Sequence, residues 1–160
     1  SSHVGWGAVR LEPVWMHVGE SAGYALALAK QRSVEPANLP EDALQRTLAE
    51  RGVMLSFFND FDLAAPTAEQ RAAQYFGTKG FFPSYDARLK EPLTSAVAAI
   101  WVRPGADPIA TARAVHNAEK AENHPLTARE FARLAGRDWS NAPAGPLTRG
   151  AACAWLFAQR

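Results

Sequence analysis

Three Pro-Leu-Thr tripeptides in the second half of the chain constrain its fold more than any other feature. They stand at Pro92-Leu93-Thr94, Pro125-Leu126-Thr127 and Pro146-Leu147-Thr148. The first is followed by Ala98 and Trp101, and the third by Ala152 and Trp155 at the same spacings. Threonine at a helix start accepts hydrogen bonds from exposed backbone N–H groups, and alanine and tryptophan three apart share one helix face. A second echo links Thr67-Ala68, Ala72 and Gly77 to Thr127-Ala128, Ala132 and Gly136. Each copy reads as helix, glycine turn, loop, Pro-Leu-Thr cap and a helix ending in tryptophan. Two such helix-turn-helix units are expected to stack into one small core.

The first part of the chain has another character. Val9 and Leu11 alternate between Ala8 and Val14, with Pro13 closing the pattern of a short strand. An alanine- and leucine-rich stretch from Glu20 to Arg32 predicts a helix. A second helix is predicted from Pro40 to Arg51, acidic at its start and followed by Gly52. Val53-Met54-Leu55-Ser56-Phe57-Phe58 reads as a buried strand. Short helices follow at Thr67–Phe76, Leu93–Val102, Pro108–Ala121, Thr127–Ala135 and Leu147–Gln159. The expected fold is mainly α with a few short β-strands (α+β). Residues 1–62 form a strand-helix-helix-strand segment, and residues 63–160 form a helical repeat module.

Composition removes several classes of function. Seventeen basic and sixteen acidic residues leave a net charge of +1, with no basic stripe for nucleic acid or an anionic membrane. No apolar run approaches the ~20 residues of a membrane-spanning helix. Cys153 is the only cysteine, which excludes an intrachain disulfide and a cysteine-based zinc site. A soluble protein of the bacterial cytoplasm or cell envelope is expected. Ser1-Ser2-His3-Val4 lacks the charged start and apolar run of a signal peptide, so the chain reads as cut from something longer.

The first 23 residues carry the functional argument. Gly19 and Gly23 lie four apart at the predicted strand-to-helix junction, where glycine allows close backbone approach to a ligand. The first turn of a helix also offers unpaired N–H groups and the positive end of its dipole. The segment Ser2-His3-Val4, then Val9-Arg10-Leu11-Glu12-Pro13-Val14-Trp15-Met16-His17-Val18-Gly19-Glu20-Ser21-Ala22-Gly23, resembles the C-terminal signature of a bacterial FAD-dependent oxidoreductase family. Some members of that family are labelled xanthan-lyase-related. Leu44-Gln45, Leu48, Gly52 and Leu55 continue the resemblance.

The resemblance implies that Gly19, Glu20, Ser21, Ala22 and Gly23 face the flavin. A helix start aimed at the N1–C2=O edge of the ring would stabilise the negative charge of the reduced cofactor. The family usually has Gln where this chain has Glu20. His3 would line the substrate side and move protons. Arg10 and Glu12, two apart on a predicted strand, either organise the active site or serve ordinary ion pairing. FAD is held chiefly by a βαβ unit with G-x-G-x-x-G, and Gly5-Trp6-Gly7 is no such fingerprint. This chain is therefore expected to be inactive alone and to require a nucleotide-binding half. An apolar surface should be left for that half, or for a homodimer, to cover.

The remaining constellations are weaker. His17 and Glu20 are too few for a metal site, and none is expected. Asn59-Asp60-Phe61-Asp62 lacks the register of a calcium loop. Phe82-Pro83, Leu89 and Pro92-Leu93-Thr94 before a helix resemble an S-layer-homology unit, and Pro146-Leu147-Thr148-Arg149-Gly150-Ala151-Ala152 is the closer match to its helix start, without the acidic residue usual there. Phe81, Phe82 and Tyr85, flanked by Lys79 and Lys90, form either a sugar- or protein-binding loop or part of the core. The second functional reading is accordingly a free-standing helical module that binds glycan or protein.

Overall fold

The computed structural model describes residues 11–121 and 124–159. Among these residues seven α-helices form and no sheet: α1 (Glu12–Arg32), α2 (Glu41–Glu50), α3 (Ala68–Gly77), α4 (Ser95–Trp101), α5 (Pro108–Lys120), α6 (Ala128–Leu134) and α7 (Arg149–Ala158). A 3-10 turn spans Pro36–Asn38. The chain divides into two compact units, residues 1–48 and 49–160.

The α+β expectation is overturned, and both predicted strands give way for physical reasons. Leu11 is extended (φ −74°, ψ 135°) and caps α1, which already includes Glu12, Pro13 and Val14. A proline in the first turn gives up an N–H that has no helical acceptor, and its fixed φ suits the helix. Pro13, read as the end of a strand, thus starts a helix. Residues 8–10 of the predicted strand lie outside the described residues. Among the described residues the strand-helix segment expected to face a flavin is not seen. α1 closes at Ser33, whose left-handed φ of 54° turns its N–H back to the carbonyls of Ala29 and Lys30.

Among the described residues Val53–Phe58 finds no strand to pair with. The Leu55 and Ser56 N–H groups donate instead to Gln74 Oε1, at 2.7 and 2.8 Å. Gln74 lies on α3 and is fully buried, so one side chain does the work of a neighbouring strand. This anchoring draws residues 53–62 into the second unit.

The three Pro-Leu-Thr segments close that unit into a ring. The Leu93 N–H donates to the Leu147 carbonyl (2.7 Å), Leu147 to Leu126 (2.7 Å), and Leu126 to Leu93 (2.9 Å). Isolated bridges at Pro92–Thr148, Thr94–Pro125 and Thr127–Pro146 flank these bonds. All three leucines are buried at the junction. Thr127 and Thr148 then cap α6 and α7 through their hydroxyls, and Thr67 caps α3 in the same way. Helix α3 packs on α7, and α4 on α5 and α6. Phe81 stacks between Phe76 (4.5 Å) and Trp101 (4.9 Å), and Trp139 stacks on Trp155 (4.7 Å).

Gly80 shows how closely the parts fit. It adopts φ +79°, and a Cβ there would lie 2.0 Å from the Pro108 carbonyl oxygen at the start of α5.

Candidate functional sites

His3 and Arg10 lie outside the described residues, and Glu12 is the exposed first residue of α1. Gly19, Glu20, Ser21, Ala22 and Gly23 sit in the interior of α1 rather than at its start. Within a continuous helix their N–H groups bond to carbonyls four residues back. At the true start of α1, Pro13 has no N–H, and Val14 and Trp15 both donate to the Leu11 carbonyl. No cradle of unpaired amides is therefore offered at residues 13–23. The residues described do not fit FAD in the way the motif suggested, as amide donors to an electron-rich ring edge.

The glycines do leave room. A Cβ built at Gly19 or Gly23 meets nothing within 4 Å. Glu20 Oε2 lies 3.7 Å from His17 Nδ1 on the exposed helix surface. Among the described residues no three His, Cys, Asp or Glu side chains gather into a metal-holding group.

Around α1, Leu11, Trp15, Met16, Val18 and Leu26 are exposed, while Leu28 and Ala29 are buried. Among the described residues of the first unit, these side chains place several apolar groups on the surface of one helix.

In the second unit the most unusual cluster surrounds Arg149, whose side chain is only 5% exposed. Its guanidinium packs against the rings of Trp101 (5.3 Å) and Phe82 (5.6 Å). Arg149 Nη1 donates to Glu119 Oε1 at 2.6 Å, and the same oxygen accepts from Arg88 Nη2. Burial pushes the Glu119 carboxyl up, but the bonds from Arg88 and Arg149 outweigh it and hold the group below its ordinary value. Arg149 Nε and Nη2 and Trp101 Nε1 are buried without hydrogen-bond partners. No spacing rule in the sequence joins residues 88, 119 and 149.

A second feature is an open cleft of about 440 Å³ lined by Ser56, Phe57, Phe58, Gly77, Phe82, Pro83, Ser84 and Tyr85. Phe57 and Tyr85 stand exposed at its rim, edge to face with ring centres 6.0 Å apart. Phe81 and Phe82, from the same predicted aromatic loop, are core residues. The loops that carry the exposed rings are pinned by the Asn59 N–H donating to the Tyr85 carbonyl at 2.7 Å. Asp60 pins them further by accepting the N–H groups of Ala87 and Arg88. The acidic turn is thus structural, with Asp62 Oδ1 accepting the Ala64 N–H. Cys153 is wholly buried in α7, and that burial pushes its thiol up, away from the reactive thiolate.

Comparison with known proteins bears on the first unit. Residues 1–48 match the FAD dependent oxidoreductase family. The match stops at the residue where the two compact units divide. No curated protein and no solved structure matches the chain. The likeness to FAD-dependent oxidoreductases is thus confined to the first unit, and the match does not extend into the second.

Proposed function

We propose that residues 1–48 are the C-terminal part of the catalytic domain of an FAD-dependent oxidoreductase, and that residues 49–160 are a helical module appended to it. The observation that carries this reading is the coincidence of the family match with the first structural unit. The exposed side chains of Leu11, Trp15 and Val18 support it, since they form a stripe at spacings of four and three along α1. That stripe receives the nucleotide-binding half, which brings the G-x-G-x-x-G unit that these 160 residues do not contain. FAD, when bound, supplies the hydride chemistry. The contribution of this chain is to cover the cofactor's site and exclude water from it, and alone it does not catalyse.

The test is co-expression of this chain with the nucleotide-binding half. A yellow complex that loses its flavin when Trp15 and Val18 are both changed to Asp supports the reading. A complex that never forms, or that forms and stays colourless, overturns it.

A second reading applies to residues 49–160, favoured by the pinned, exposed pair of Phe57 and Tyr85. Aromatic faces beside the hydroxyls of Ser56 and Ser84 suit the flat apolar faces and hydroxyl rims of a glycan. Retention on an immobilised polysaccharide that disappears in Tyr85→Ala supports a glycan-binding role. Unretarded passage of the unsubstituted chain removes it.

A further inference from the structure

We propose that α1 also pairs antiparallel with α1 of a second copy of this chain, through the face formed by Glu12, Met16, Gly19, Gly23, Leu26 and Lys30. These six positions follow one another at steps of four and three, the spacing that keeps side chains on one seam of a helix. All six are exposed, with Met16 at 73% and Leu26 at 59%. The seam lies about a quarter turn around the helix from Leu11, Trp15 and Val18, so both surfaces can be occupied together.

The occupant follows from the order of residues along the seam. Laid antiparallel on itself, the face sets Glu12 opposite Lys30 of the second copy, Met16 opposite Leu26, and Gly19 opposite Gly23. Every contact then occurs twice about a two-fold axis, as an isologous interface requires. Opposite charges meet at both ends and apolar side chains meet inside them. At the centre, where a Cβ on either glycine would find open space, the two backbones approach closely. The antiparallel arrangement also brings each positive helix end to the negative end of its neighbour. A parallel pairing would set Glu12 against Glu12 and Lys30 against Lys30, which like-charge repulsion disfavours. The seam is therefore complementary to itself in one orientation only.

A double cysteine variant of the full chain, Met16→Cys with Leu26→Cys, tests the arrangement. Within one helix these positions are about 15 Å apart, beyond the ~7 Å between Cα atoms that a disulfide spans, and Cys153 is buried. Mild oxidation is expected to give a covalent dimer whose peptide map joins position 16 to position 26. Sedimentation of the unsubstituted chain over a concentration series provides the second arm. Glu12→Lys and Lys30→Glu should each weaken the dimer about tenfold, as two exposed pairs turn from attractive to repulsive. The double exchange should restore it to within about twofold. Both positions are exposed, so the variants keep the fold, as circular dichroism would show. The proposal is overturned by a chain that stays monomeric at every concentration and forms no crosslink. Links joining 16 to 16 or 26 to 26, or a double exchange no better than the single changes, overturn it equally.

Discussion

Replacing Glu119 with Gln tests how the second unit holds a buried cation. The Arg149 side chain is 5% exposed, and it donates to Glu119 Oε1 from Nη1 while Nε and Nη2 have no partner. Gln keeps a carbonyl acceptor and the side-chain volume but removes the negative charge. Breaking a buried pair by neutralising one member costs about 3–5 kcal/mol, because the remaining charge is left uncompensated. The retained acceptor puts Glu119→Gln near the lower end, about 3 kcal/mol. Arg88 is a third exposed, and its lost pair adds little. At roughly 4 °C per kcal/mol for a unit of this size, Tm should fall by about 12 °C.

Thermal unfolding followed by far-ultraviolet circular dichroism measures the fall. A second variant, Glu119→Leu with Arg149→Met, removes both charges and should lose less than Glu119→Gln alone, since no buried charge is then orphaned. The pH dependence has a definite sign. The folded-state value for Glu119 lies below 4.5, so its contribution is present above pH 4.5 and fades as pH falls through the folded-state value. Glu119→Gln should lose that acid-side slope. A Tm unchanged to within about 2 °C, or a double variant less stable than the single one, would mean that Arg149 does not depend on the Glu119 charge.

Three further predictions come from the same unit. Gly80→Ala should destabilise it by more than about 2 kcal/mol, because the residue combines a positive φ with a carbonyl oxygen in the Cβ position; a stability close to that of the unsubstituted protein in urea titration counts against this. Gln74→Leu should cost about 2–3 kcal/mol by leaving the Leu55 and Ser56 N–H groups without their acceptor, and hydrogen exchange at those two amides should speed up. Thr127→Ala should lower stability by about 1 kcal/mol and Thr94→Ala by clearly less, since only the Thr127 hydroxyl accepts a capping bond; equal losses would contradict the assignment.

The legible parts of the fold were those whose signals are local. The bounds of α2, α3, α5 and α6 follow from features close at hand. These are the acidic residues at Glu41 and Asp42, the Thr67–Gln70 and Thr127–Glu130 capping boxes, and Pro108 after the Asp107 cap. What failed was long-range or ambiguous. Pro13 serves equally as a strand terminator and a helix starter, and its place in the first turn of α1 puts Gly19 and Gly23 in the helix interior. Val53–Phe58 has the composition of a strand, but a strand needs a neighbour, and the buried Gln74 stands in its place. The grouping of Arg88, Glu119 and Arg149 depends on how three loops and helices come together, which no local pattern encodes. Of the candidate site, the family signature was readable within the first 23 residues, whereas the geometry that would present it to a flavin was not.

The proposed flavin dependence of residues 1–48, and not of residues 49–160, rests on a family match that ends where the first unit ends. Measuring the FAD retained by the purified complex with the nucleotide-binding half, with either unit deleted in turn, tests it most directly. FAD should be near-stoichiometric when only residues 1–48 are kept, and lost when only residues 49–160 are kept. Equal FAD content in the two deletions, or retention that depends on residues 49–160 alone, would contradict it.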